Sequence, residues 1–227
     1  MKISFYSIME WFQFICMILS FLFSLQLIRN DRVVKYMRNF YWYSVVAALI
    51  ALLRVTSSNF GLPTKLIMVE ISNYSILFHF GFLSMFIFSV LPDKKKLQFS
   101  VPLLLTVFSL TLFFLITYSA KKQNSTSYAI SNLGLVIYCV IYYSSLFWDV
   151  PKQNLLKEPS FWIISGIFLC MSISIPINSL HGYLRNDDYI KLENRKNLFG
   201  IAYFAYGTLH LFLIKAYLCS IRPQKVS

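Results

Sequence analysis

Charge is scarce in this chain. Asp, Glu, Lys and Arg together make up 13 % of its 227 residues, against roughly 25 % in an ordinary soluble domain. Acidic residues are scarcer still, 9 against 21 Lys and Arg, which leaves a net charge of +12. With 57 % of the residues apolar, the composition excludes a disordered tail, because such tails are polar. It equally excludes a conventional soluble enzyme, because a water-exposed sphere of this size cannot hide so much apolar surface.

Cysteine is also sparse. Cys16, Cys139, Cys170 and Cys219 each lie inside or at the end of an apolar run, with no CxxC pair and no zinc-knuckle spacing. That excludes a disulfide-stapled secreted module and marks them as reduced packing residues. Catalytic signatures are absent as well. The sequence has no HxxxH, HExxH or multi-His helix, no GxSxG, no paired intramembrane aspartates and no Gly-rich phosphate loop, so metallohydrolase, acyl-hydrolase and nucleotide chemistry lack their residues. No metal or cofactor is implied. Lys215, the one Lys of the last apolar run, lies near the run's end, where it can snorkel to water rather than hold a retinal. Paired Gly/Pro helix breaks and internal repeats, the pointers to many transporters, are missing. The basic excess sits between apolar runs rather than on a continuous face, so it reads as topogenic and headgroup-facing charge, not as a nucleic-acid surface.

What is abundant is apolar and aromatic. There are 22 Phe, 15 Tyr and 4 Trp, and the mean hydropathy is +0.61. Seven apolar runs occupy residues 11–28, 40–57, 66–91, 99–118, 128–148, 161–180 and 197–221. Each approaches the ~20 residues that carry a helix through a ~30 Å hydrocarbon layer. Stretches such as 103–116 show no alternation, which counts against a β-barrel. The reading is all-α, a polytopic seven-transmembrane-helix bundle forming one domain over 1–227, with the lipid bilayer as its principal partner. The breaks between runs carry charge or turn signals, such as Asn30-Asp31-Arg32, Pro92-Asp93-Lys94 and Asp149-Val150-Pro151. In the longest, 181–196, Asn186-Asp187-Asp188 is placed to cap a short helix carrying Ile190 and Leu192. The first run has only Lys2 ahead of it and no small-residue cleavage site after it, so it is expected to stay as the first helix.

Seven crossings put the termini on opposite sides. The side of the N-terminus carries nine cations (Lys2, Arg54, Lys65, Lys121, Lys122, Arg185, Lys191, Arg195 and Lys196) and the other side twelve, four of them in the first loop. Early cations weigh most in orientation, so the expectation is a multi-pass protein of the cell (inner) membrane, N-terminus outside and C-terminus cytoplasmic. About six residues follow the last run, too few for an effector domain, so a signalling role is expected to need a membrane or cytoplasmic partner.

Ionisable groups within the hydrocarbon mark function by default. In the third run Glu70, Asn73, Leu77, Gly81 and Ser84 share one helix face, and Ser72, Ser75 and His79 lie on another, an arrangement that places this helix at the bundle centre. Arg54 and Glu70 come to similar depth across the second and third helices, with Glu10 on the same side. They fit either a ligand- or ion-lining cluster or a structural Arg54–Glu70 pair with Glu10 in the interface. His79 and His210 each lie about 20 Å below the outer surface, and Tyr203, Tyr206 and His210 share a face of the last helix. These residues fit either a His–His–Tyr proton relay or pH sensor, or two histidines bonded to unrelated partners. Pro176, within Ser172-Ile-Ser-Ile-Pro-Ile-Asn178, should kink the sixth helix and free a carbonyl near Ser172.

The segment Pro159-Ser160-Phe161-Trp162-Ile163-Ile164-Ser165-Gly166, with Ile141-Tyr142-Tyr143-Ser144-Ser145-Leu146 and Ile71-Ser72-Asn73-Tyr74, resembles small seven-helix integral membrane proteins common in Bacteroidetes. Those proteins carry a similar Pro-x-Phe-Trp-Ile-x-x-Gly start to their sixth helix, and often a Glu where this chain has His79. The resemblance implies the seven-helix architecture and no activity. Composition, topology and a polar core without catalytic groups lead to an expected receptor-like sensory or accessory subunit, probed by an unknown small molecule or a protein partner. The alternative is a small, proton-coupled transporter using Glu70, His79 and His210.

Overall fold

A backbone surrounded by lipid must satisfy every N–H and C=O internally, and continuous helices do so. The computed structural model describes residues 4–28, 35–59, 65–92, 100–117, 124–149, 154–185 and 192–221. Among them are seven α-helices and no strand: α1 (Phe5–Ile28), α2 (Lys35–Asn59), α3 (Lys65–Val90), α4 (Val101–Thr117), α5 (Ser125–Asp149), α6 (Pro159–Arg185) and α7 (Leu192–Ile221), with a 3-10 turn at Leu155–Lys157. The fold is all-α. Ser and Thr hydroxyls fold back onto carbonyls of the preceding turn, as from Ser24 to Phe21 O, Thr106 to Pro102 O and Thr208 to Phe204 O. These side chains thereby bring no unpaired donor to the apolar surroundings.

Five helices contain stretches long and apolar enough to cross a membrane: Phe5–Leu27, Asn73–Val90, Ser125–Phe147, Pro159–Leu180 and Lys196–Ile221. The apolar stretches described in α2 and α4 are shorter, Phe40–Ile50 and Val101–Thr117. At 1.5 Å per residue, α4 is about 26 Å long. The outer surface carries many large apolar side chains. Trp11, Ile15 and Leu22 on α1, Phe113 and Ile116 on α4, and Phe147 on α5 all point outward. Exposed apolar surface on this scale is a membrane-facing surface.

The helices extend beyond the apolar runs. α1 begins at Phe5 rather than 11, and α2 at Lys35 rather than 40. α6 begins at Pro159, where a missing N–H costs nothing in the first turn, and continues through Pro176 to Arg185. Residues 186–191 of the expected short capped helix lie outside the described residues, and Leu192 opens α7 instead.

α7 packs most extensively on α1 and α6, α6 also on α5, and α4 rides on α5. α3 lies against α5 and α4, and less extensively against α2. The α1–α7 seam is set by two glycines a heptad apart. A Cβ at Gly200 would fall 2.7 Å from the Phe5 ring, and one at Gly207 2.5 Å from the Phe12 ring, so only glycine admits these rings against the α7 backbone. The expectation that α3 is wholly enclosed is corrected. Tyr74 and Met85 are exposed, so α3 keeps one outward face while Ile76, Phe80, Leu83 and Ile87 fill the core.

Candidate polar core between the helices

The core contains a cluster of polar side chains in which two hydrogen bonds join α2 to α3 and to α7, with polar groups of α1 and α6 beside it. His79 on α3, His210 on α7 and Cys170 on α6 each stand eleven residues from the helix end on one side of the bundle, the ends being Val90, Ile221 and Pro159. Eleven residues are about 17 Å, so the three groups share a layer near mid-depth. The Tyr43 hydroxyl on α2 bonds His79 Nδ1 at 3.1 Å. It also lies within electrostatic reach of Cys170 and of the Tyr217 hydroxyl on α7. His79 in turn is within reach of His210. Tyr217 shares a 2.9 Å hydrogen bond with Ser44 of α2. Tyr43 is therefore the centre of the cluster, bonded to α3 and within electrostatic reach of α6 and α7.

Aromatic rings wall this hub. The Tyr43 ring stacks on Phe78 and Phe82 at 6.2 and 5.1 Å and meets Phe40 edge-on at 5.7 Å. His79 lies edge-on to Tyr43 at 5.5 Å. Among the buried side chains described there is no Asp, Glu, Lys or Arg, in keeping with the cost of burying a charge.

Three polar atoms of the cluster are fully buried without a hydrogen-bond partner: Ser20 Oγ, Ser174 Oγ and His210 Nδ1. Ser20 of α1 lies beside the Tyr217 hydroxyl and Ser174 beside the Cys170 thiol, in neither case at hydrogen-bonding geometry.

The expected site residues divide into groups. His79 and His210 lie within electrostatic reach of each other, with His79 bonded to Tyr43. Tyr203 is not with them: its hydroxyl bonds Tyr6 of α1 at 3.1 Å, with the rings 5.3 Å apart. Tyr206 is half-buried and packs against the apolar core. Asn73 is buried elsewhere in a structural tie. Its Oδ1 accepts the Asn124 N–H at 3.1 Å, while Asn124 Oδ1 accepts the Ser127 N–H and caps α5, and Asn124 Nδ2 donates to Phe114 O at 2.6 Å. Glu10 is exposed on α1. Arg54 and Glu70 fall within α2 and α3, but their side chains lie outside the described residues, as does any cluster they form with Glu10.

Tyr43, Ser44, Cys170, Ser174, Ser20 and Tyr217 were not anticipated as a site from the sequence. The usable signal was depth. Counting from the helix ends places Tyr43, Cys170 and the histidines in neighbouring layers, although no local spacing links them. Cys16, Cys139, Cys170 and Cys219 are free thiols. Among the described residues no three His, Cys, Asp or Glu side chains are grouped to hold a metal.

Fold and site together define an all-α bundle with seven helices among the described residues, five of them long and apolar enough to cross a bilayer, around a buried polar centre. No protein-family model, curated protein or solved structure matches the chain.

Proposed function

We propose that this chain is a multi-pass protein of the cell (inner) membrane whose seven helices all cross the bilayer. Its N-terminus is outside and its C-terminus cytoplasmic, and it acts as a receptor-like sensory or accessory subunit through a separate protein partner. The observation that carries this reading is the Tyr43 hub. That hydroxyl bonds His79 of α3 and lies within electrostatic reach of Cys170 of α6 and Tyr217 of α7, so polar groups of four helices influence one another there. A change at such a hub shifts the relative positions of those helices, and a partner reads helix positions at the surface.

The test is affinity isolation of tagged wild-type and Tyr43→Phe protein from crosslinked native membranes. A signalling or membrane protein held in near-stoichiometric amount, and changed in amount by the substitution, is the expected result. Isolation without any stoichiometric protein overturns the reading.

One observation favours a second reading, the proton-coupled carrier. Tyr43, His79 and His210 form a run of proton-exchanging groups near mid-depth, and such chains serve proton relays in transporters. Proteoliposomes loaded with a pH dye separate the two. Substrate-dependent acidification abolished in folded His79→Ala protein establishes the carrier.

A further inference from the structure

The end of the bundle where α6 begins and α7 finishes carries an exposed ammonium group with no counter-charge among the described residues. We infer that Lys215, seated over the Trp162 ring, is a docking site for the headgroup of an anionic phospholipid. Its phosphate pairs with the Lys215 ammonium, and an acyl chain lies along the outer face of α7. This rests on the reading that the helices cross the bilayer and is independent of what the chain senses.

Direct contacts build the site. The Trp162 indole N–H donates to Leu156 O at 2.8 Å, and the Cys219 thiol donates to the same carbonyl at 3.8 Å. The turn Leu155–Lys157 is thereby fastened to both helices. Phe161 and Phe212 flank the Trp162 ring at 6.0 and 5.8 Å. Lys215 Nζ lies 5.5 Å from the centre of that ring. Lys215 is one helical turn from Cys219, about 6 Å further into the bundle than the fastened turn. Trp162 sits at the level where indole rings collect beside lipid headgroups.

The charges select an anion. Among the described residues the Lys215 ammonium meets the ring face and makes no hydrogen bond or ion pair. A ring face attracts a cation but does not neutralise it, so N–H donors are left for a phosphate oxygen. Lys157, exposed in the adjoining turn, adds a second positive charge at the rim. Glu158, the carboxylate of that turn, makes no ion pair among the described residues and lies within electrostatic reach of buried Tyr142. A zwitterionic lipid fits less well, because Lys215 already covers the ring face that would attract a quaternary ammonium and repels that ammonium. Leu211, Lys215 and Leu218 are all exposed on one face of α7, a spacing of four and three residues. Leu211 therefore continues the site as an apolar track toward the middle of the membrane.

The experiment places the full chain, with Trp11, Trp42 and Trp148 replaced by Phe, in phosphatidylcholine nanodiscs. The chain has 4 Trp, so Trp162 is then the sole indole. Phosphatidylglycerol or phosphatidylcholine with dibrominated acyl chains is titrated in, and quenching of the indole fluorescence gives the relative affinity of each lipid for the site. The expected result is a preference for phosphatidylglycerol of about five-fold, the factor one ammonium contributes at a membrane surface. That preference is lost in Lys215→Gln and kept in Lys215→Arg. Equal quenching by the two lipids overturns the proposal. So does a preference that survives Lys215→Gln, the result of diffuse attraction to this basic end of the bundle. If the triple-Phe chain fails to fold, native mass spectrometry makes the same comparison with all four Trp in place. Protein with Lys215 then leaves mixed discs carrying phosphatidylglycerol and Lys215→Gln protein does not; equal retention overturns the site. Failure in disc-embedded protein leaves the membrane reading standing, whereas a chain that stays outside the discs overturns both.

Discussion

Replacing Gly207 by alanine tests whether α1 is seated on α7 as described. The new Cβ would lie 2.5 and 2.7 Å from two atoms of the Phe12 ring and 3.3 Å from the Gln13 backbone. Ordinary contact needs roughly 3.5–4.0 Å, so the ring must retreat by about 1 Å. It cannot do so freely, because Phe12 is stacked on Phe204 at 5.6 Å. Overpacking of this kind costs about 1–3 kcal/mol, and the helical gain of alanine over glycine returns about 0.5–1 kcal/mol. The net expectation is a loss of about 0.5–2 kcal/mol. Gly81→Ala is the internal control, since a Cβ there meets nothing within 4 Å and should stabilise by about 0.5–1 kcal/mol. Reversible unfolding in mixed micelles measures both. Adding Phe12→Ala to Gly207→Ala should recover part of the loss, with a coupling of at least about 0.5 kcal/mol in the double-mutant cycle. Equal stability of the two glycine variants, or strict additivity with Phe12→Ala, refutes the seam.

Tyr43→Phe removes the hydroxyl that bonds His79 and should cost about 0.6 kcal/mol, the mean for hydrogen bonds between membrane helices; mixed-micelle unfolding reads it. Asn124→Ala removes the cap of α5 together with the bond to Phe114 O, and should lower stability by about 0.5–2 kcal/mol, while Asn124→Asp keeps the cap and loses less. Ser84 Oγ is buried without a partner, so Ser84→Ala should leave stability unchanged or raise it by up to about 1 kcal/mol in the same assay. In a background lacking Cys16, Cys139, Cys170 and Cys219, a membrane-impermeant maleimide applied to intact cells should label Gln123→Cys and spare Asp31→Cys; the reverse pattern inverts the proposed sidedness.

The all-α class was legible because it rests on composition and period. Runs of apolar residues near membrane length without alternation leave helices as the way to satisfy a backbone in lipid, and all seven runs fall largely within helices. The helix ends were less legible. Hydropathy stops where polar side chains begin, but the helical backbone does not. Lys35 belongs to α2 despite its charge. Phe5 and Tyr6 extend α1 because they have partners at Gly200 and Tyr203, nearly two hundred residues away, where no local pattern points.

The site was legible by residue type and depth and illegible by partner. His79 and His210 stood out because an ionisable group in an apolar run is conspicuous, and they come within electrostatic reach of one another. Asn73 and Tyr203 stood out equally, yet each is spent on a structural bond, to Asn124 and Tyr6. Helical spacing assigns a face to a side chain but not the neighbour that face meets. Conversely, Tyr43, Ser174 and Ser20 carry the hub and its unpaired atoms while resembling the many Tyr and Ser residues that only bond their own helix, as Ser24, Ser89 and Ser145 do. What separates the two kinds is whether the preceding turn's carbonyl takes the proton. Ser24, Ser89 and Ser145 are satisfied locally and need nothing from the fold. Ser20 and Ser174 are not, and their hydroxyls stand instead beside the Tyr217 hydroxyl across the α1–α7 seam and the Cys170 thiol one turn back, neighbours that hydropathy alone does not reveal.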